Sequence, residues 1–279
     1  MIGYVFKRYE MKYLLTEKQY EAVKAAFCDS LVPDRFAKTT IQSLYYDTAD
    51  NRLIRASLEK PTFKEKLRLR CYGLNDCDKD VFVEMKRKYD GVVYKRRITC
   101  KELQAQAVLG GASDTQIGKE LEYFARFYGE LYPKMLIIYD LEAFCAKQGE
   151  EHGLWQVDGQ VDGQGLRQGA GQGAGQGDLR ITFDTNIRYR TDNLNFYSPL
   201  SGKELPTNEK ILMEIKTGTA LPLWLCAALD KERIYKTTFS KYGTAYKAEC
   251  EKNNQRSTEL CLNQSSQTER LPLSAFSSY

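Results

Sequence analysis

Residues 63–72 read FKEKLRLRCY. As a β-strand, this run sends Lys64, Lys66, Arg68 and Arg70 to one face and Leu67 and Leu69 to the other, because side chains alternate with period two. Same-face neighbours on a strand lie about 6.6 Å apart. At an effective dielectric near 20, each adjacent pair of cations repels by about 2.5 kcal/mol before salt screening. Such a row survives on an open surface, or where an anion neutralises it.

The pattern recurs outward in both directions. In VFVEMKRK (81–88), Glu84, Lys86 and Lys88 oppose Val83, Met85 and Arg87. In LRITFD (179–184), Arg180, Thr182 and Asp184 oppose Leu179, Ile181 and Phe183. In ILMEIKTG (211–218), Glu214 and Lys216 oppose Ile215, and near the start Arg8, Glu10 and Lys12 alternate with Tyr9, Met11 and Tyr13. VVYKRRI (92–98) carries base in both parities, Lys95 and Arg97 against Arg96, so its inner face stays open. One strand of this kind is explained by a solvated polar face. Five together predict an α+β fold, a closed antiparallel β-barrel with helices packed outside, whose lumen collects the charged faces. Arginine forks and lysine point charges in that lumen would hold a long polyanion. The inward carboxylates Glu10, Glu84 and Glu214 are what a divalent cation requires beside phosphates.

Three helices are expected outside the strands. Thr16 and Gln19 form a capping box before Tyr20, Val23 and Phe27 at helical spacing. Ile117, Leu121, Phe124 and Tyr128 mark a second helix ending near Pro133, and Pro222 suits the first turn of a third. Residues 149–178 hold a glycine–glutamine repeat with almost nothing to bury and read as a loop insertion. The domain therefore spans 1–248, and the polar residues 249–279 read as a disordered tail.

Composition excludes several classes. Lys and Arg total 41 against 37 Asp and Glu, too even a balance for a nucleic-acid binder. Eight cysteines without a C-x-x-C pair and a single histidine, His152, argue against zinc. Cys71 and Cys77 could bridge across a turn, but free thiols in a reducing compartment are the favoured reading. The first residues lack a signal peptide's apolar run, and no stretch approaches a membrane span of about 20 apolar residues. A soluble, cytoplasmic protein is expected.

The ordered segments YEMKY (9–13), SLYYDT (43–48), KLRLR (66–70), VEMKRK (83–88), YKRRI (94–98), LRITFD (179–184), EIK (214–216) and FSKY (239–242) resemble the VTC domain. This is the catalytic domain of the vacuolar transporter chaperone complex, also found as a standalone bacterial polyphosphate polymerase. It belongs to the triphosphate tunnel metalloenzymes and is related to the CYTH enzymes. The resemblance covers roughly residues 4–246 apart from the repeat. It implies transfer of the ATP γ-phosphate to a growing inorganic polyphosphate chain, with Mn2+ or Mg2+ as cofactor. Lys12, Arg68, Arg70, Lys86 and Lys241 would be catalytic. Lys66, Lys88, Lys95, Arg97, Tyr139, Arg180, Lys216 and Ser240 would bind substrate, with Glu214, Glu84 and Glu10 at the metal. No membrane segment is expected in this chain, which leaves room for a separate membrane partner.

Two departures stand out. Leu141 occupies the position of the family's usual arginine in a Tyr-x-Arg, here Tyr139-Asp140-Leu141. The hydrolase relatives begin Glu-x-Glu-x-Lys, whereas the frame here is Arg8-Glu10-Lys12, which favours the polymerase branch. The competing readings are a triphosphate hydrolase or cyclase on the same fold, and a polyphosphate-binding scaffold without catalysis, the latter motivated by Leu141.

Overall fold

A computed structural model describes residues 9–27, 30–73, 80–90, 92–110, 114–147, 179–218 and 220–268. Arg8, Cys77 and the repeat at 149–178 lie outside the described residues, so the expectations for them rest on sequence alone. Elements follow the order β1 (Tyr9–Leu15), α1 (Glu17–Phe27), β2 (Leu31–Asp47), α2 (Arg52–Leu58), β3 (Phe63–Tyr72), β4 (Asp80–Tyr89), β5 (Val92–Lys101), α3 (Glu102–Leu109) and α4 (Gln116–Tyr128). They continue with β6 (Tyr132–Ala146), β7 (Arg180–Arg190), β8 (Lys203–Glu204), β9 (Ile211–Thr217), α5 (Leu223–Lys231) and α6 (Lys241–Thr268). No helix among the described residues is long and apolar enough to cross a membrane.

The strands form one antiparallel sheet in the order β1-β9-β7-β6-β2-β3-β4-β5, with β8 paired to β7. The expected closed barrel is corrected here: β1 and β5 are sheet edges, and no hydrogen-bonded ladder joins them among the described residues. The reason is local. The outer edge of β1 is taken by the segment leading into α6, where the Thr237 amide donates to the Lys12 carbonyl at 2.8 Å in an isolated bridge.

The outward parity predicted for β3 and β4 holds. Leu67, Leu69, Val83 and Met85 are buried with Leu121 and Phe124 of α4 and Val108 and Leu109 of α3. Tyr13, Ile181, Phe183, Met213 and Ile215 form a second core with Val23 and Phe27 of α1 and Leu225 and Leu229 of α5. The third core lies on the charged face itself, where Tyr45, Tyr139 and Leu212 pack with Tyr242 and Ala245 of α6. So α6, unlike α1, α3, α4 and α5, packs against the inner face instead of outside the sheet.

Helix starts follow the sequence. The Gln19 amide donates to Thr16 Oγ1 at 3.3 Å and the Thr16 amide to Gln19 Oε1 at 3.0 Å, completing the capping box. Helix α4 stops before Gly129, whose φ of +77° suits glycine, four residues ahead of Pro133. Helix α6 runs past Glu249 to Thr268. Its first turns are anchored by the inner core, and extending a formed helix costs far less than nucleating one.

Candidate functional site: a basic tunnel under one helix end

The residues that make the site come from alternate positions of the curled sheet. Lys66, Arg68 and Arg70 are the inward members of β3, each partly exposed between buried outward neighbours. On β4 the inward residues are Glu84, Lys86 and Lys88. The open question on β5 resolves by partner. Lys95 meets Glu84 at 2.7 Å and Arg97 Nε donates to Glu84 at 2.7 Å, while Arg96 turns outward to Glu120 of α4. The sheet curls far enough that Glu10 of β1 meets Lys86 of β4 at 3.5 Å. A side-chain ion pair thus spans inner faces that no ladder joins.

The motif FSKY explains the inner end. Ser240 caps α6 by accepting from the Gly243 amide at 3.1 Å, and accepts from Lys66 Nζ at 2.9 Å. Lys241 pairs with Asp184 of β7 and lies 4.1 Å from the centre of the Tyr139 ring. Tyr242 stacks on Tyr45 at 4.5 Å and donates to Asp47. The carboxylate of Asp47 also accepts from the Thr48, Leu53 and Ile54 amides, and so caps α2. The α6 N-terminus therefore points its positive dipole end at the lysines and arginines of the lumen.

The carboxylates divide into two sorts. Glu84 is 1% exposed and both its oxygens are committed: Arg68 at 2.7 Å and Arg70 at 3.8 Å reach one, Lys95 and Arg97 the other. Burial opposes its ionisation, yet Arg68, Arg70 and Lys95 hold its carboxyl far below the usual range. A divalent cation there would displace four cationic donors and meet their repulsion, so the expectation that Glu84 ligates metal does not fit its surroundings. Glu10 and Glu214 flank Lys12, at 3.6 and 3.0 Å, and Glu214 also meets Lys216 at 3.0 Å. Burial works against the Glu214 charge, but Lys216, Lys12 and Lys241 keep it ionised. Mg2+ and Mn2+ sites at phosphates commonly use one or two carboxylates together with phosphate oxygens and waters. Glu10 and Glu214 fit that donor set, and the described residues contain no cluster of three or more protein ligands.

The lysines are tuned by crowding. Burial lowers Lys66 to about 8, with Lys12, Lys86 and Lys64 reinforcing the shift and Tyr45 opposing it. Burial likewise lowers Lys95 to about 8 against the pull of Glu84. Both would therefore take up a proton on anion arrival only around and above about pH 8.

Among the expected site residues, Lys12, Lys66, Arg68, Arg70, Lys86, Lys95, Arg97, Lys216, Tyr139, Ser240 and Lys241 come together in this lumen. Lys88 is exposed at the mouth beside Lys64, and Arg180 turns to Asp34 at 2.7 Å. Tyr45 and Asp184 also line the site without having been singled out for it. Tyr45 reads in sequence as an ordinary strand aromatic, and only its shared parity with Ser43 signals a lumen position. Leu141 packs against the same inner core as Tyr139, so it does face inward. Arg188 and Arg190, bases of the neighbouring strand β7, do not replace the missing arginine. They donate to the carbonyls of Leu200, Pro199 and Asn195 in the loop after β7.

Fold and site together define an α+β protein whose single antiparallel sheet curls around a lumen rich in lysine and arginine. The VTC domain family model matches residues 7–152 and 169–249, and the chain belongs to that family. No curated protein matches it. Among solved structures, a candidate adenylate cyclase from Bacillus halodurans aligns at 10% identity and TM-score 0.44, over 83% of this chain and 92% of that one. Another from Vibrio parahaemolyticus aligns at 10% identity and TM-score 0.39, over 87% and 99%.

Proposed function

We propose that this chain synthesises inorganic polyphosphate by moving the γ-phosphate of ATP onto the end of a polyphosphate chain held in the tunnel. What supports the reading is the convergence of inward lysines and arginines from β1, β3, β4, β5, β9 and α6 on one lumen, where Ser240 Oγ is engaged in capping α6 and in accepting from Lys66. Phosphoryl transfer needs mainly positioning and charge neutralisation. The terminal phosphate oxygen of the acceptor attacks the γ-phosphorus, the bond to the β–γ bridging oxygen breaks, and ADP leaves with the electron pair. Lys66, Arg68 and Lys241, with the α6 N-terminus, would hold the triphosphate. Arg70, Lys95 and Arg97, fanned by Glu84, would hold the chain. A divalent cation at Glu10 and Glu214 would neutralise charge on the phosphates.

One observation favours a second reading, a polyphosphate-binding module with little turnover. Leu141 faces inward, and neither Arg188 nor Arg190 replaces the charge. Incubating the full chain with ATP and Mn2+ and separating the products on a gel divides the readings. A ladder of chain lengths is expected. Free phosphate alone would indicate a hydrolase, and retained polyphosphate binding without either product would indicate the binding module.

A further inference from the structure

Tyr45 has unusual company for a tyrosine. Its ring is buried, stacked on Tyr242 of α6 at 4.5 Å with the planes 17° apart. Its phenol oxygen accepts from Arg68 Nη1 at 3.1 Å, and among the described residues its own hydrogen has no acceptor. From β3 come Lys66, Arg68 and Arg70, all close enough to act on it electrostatically. From β6 comes the neutral phenol of Tyr139, which takes a long bond from Arg70 at 3.5 Å. Tyr242 presents a ring face and spends its hydroxyl on Asp47, whose carboxylate is already occupied by amides of α2. Glu84, the nearest acid of β4, lies on the far side of Arg68 and is saturated by four cations. The phenol oxygen therefore accepts from one guanidinium and lies among two further cations, with no competing acceptor among the described residues, the environment of an anion site.

We propose that Tyr45 is the tunnel's own stand-in anion: its phenolate neutralises Arg68, Lys66 and Arg70 while the tunnel is empty, and a phosphate group displaces it from that role. When phosphate arrives, two anions cannot share the same three cations, so the phenolate takes a proton from solvent. The hydroxyl so formed donates to the phosphate. Arrival of substrate is thereby coupled to uptake of one proton at a named atom. Burial alone would raise the phenol's pKa, but Arg68, Lys66 and Arg70 overcome it and bring Tyr45 down to about 7. The inference deepens the proposed function and rests on it only for the claim that the tunnel takes phosphates.

The test is a spectroscopic pH titration of the full chain and of Tyr45→Phe, following the near-ultraviolet tyrosinate band with and without saturating tripolyphosphate. The Phe variant keeps the ring and its stacking. The chain has 19 tyrosines, and an ordinary phenol ionises near pH 10. The expected result is a step of about one tyrosinate equivalent between about pH 6 and 8. The step should be absent in Tyr45→Phe and displaced upward by more than about one pH unit by tripolyphosphate. No tyrosinate below about pH 9, or an unchanged step in the variant, overturns the proposal. A step that does not move although calorimetry shows tripolyphosphate bound overturns the exchange. If tripolyphosphate does not bind while the step is present and lost in the variant, the phenolate stands and the proposed function fails.

Discussion

Arg68 and Glu84 are register partners on β3 and β4, and their side chains meet at 2.7 Å. Of all the tunnel's contacts, this pair best explains how so many cations coexist. Glu84 offers both oxygens to a fan of Arg68, Arg70, Lys95 and Arg97, and so fixes their directions before any phosphate enters. An acid at this point organises the arginines.

Glu84→Gln should therefore destabilise the fold by about 3 kcal/mol, the low end for breaking a buried pair because the cations retain access to water. Chemical unfolding measures this, and added tripolyphosphate should return part of the loss by supplying the missing charge. The pH dependence has a definite sign. Glu84 is held below its ordinary 4.5, so its contribution is present above about pH 4.5 and fades as pH falls further. Glu84→Gln should flatten that acid limb. A variant as stable as the parent at pH 7 would show the fan to be incidental.

Glu214→Gln keeps the side chain's shape and removes its charge. If Glu214 ligates the metal, the Mn2+ concentration for half-maximal activity should rise by about tenfold, about 1.4 kcal/mol of lost affinity. Tripolyphosphate binding without metal should hold or improve, since Lys12 and Lys216 lose their internal partner. An unchanged metal requirement would reduce Glu214 to an ion-pair partner of those lysines.

Lys66 is lowered to about 8 by burial and its lysine neighbours. An incoming phosphate favours the protonated amine, so Lys66 should add a decline in affinity above about pH 8 to the decline that Tyr45 imposes from about pH 7. In Lys66→Met binding should be weaker at pH 7 and the decline above pH 8 shallower. Calorimetric titrations with tripolyphosphate across that range check both. A parallel decline in the two proteins would place the titration elsewhere.

Leu141→Arg restores charge at an inward position beside Tyr139. Chain extension should accelerate by tenfold or more, equivalent to about 1.4 kcal/mol of barrier, with a smaller gain in polyphosphate affinity. Flat or reduced turnover would mean the lumen manages without that arginine.

Asp47→Ala strips the acceptor from two α2 amides, from the Thr48 amide and from Tyr242. The expected cost is about 2–4 kcal/mol in chemical unfolding, since these are buried donors left unpaired. A loss under about 1 kcal/mol would mean that water or a shifted helix end satisfies those amides.

Much of this was legible in the sequence, for a physical reason. Period two is a local property, so Lys66, Arg68 and Arg70 could be assigned to one face and Leu67 and Leu69 to the other from ten residues. In VVYKRRI the local signal was silent, because base occurs in both parities. The inner face there is set by Glu84 on one side and Glu120 on the other, and both are distant in sequence. The surroundings of Glu84 were hidden for the same reason: alternation places an acid in the lumen but does not say that four cations will surround it. Closure depends on what reaches the edge of β1, and nothing in the alternation marks Thr237 as the residue that does. Tyr45 and Asp184 could not be told from ordinary core and ion-pair residues until their partners were in place.

The pairing of β1 with β9 carries a consequence for how the molecule is made. Among the described residues, 9–15 find their ladder partner at 211–217, and the bridge to Thr237 comes later still. At ordinary synthesis rates of about 5–20 residues per second, the first strand waits on the order of ten seconds or more for its neighbour to emerge. Through that interval β2 to β5 can pair locally while a strand containing Tyr9, Met11 and Tyr13 has exposed edges. Assembly is thus ordered from the middle of the chain outward, and the lumen is completed last, when the helix carrying Ser240 and Lys241 arrives.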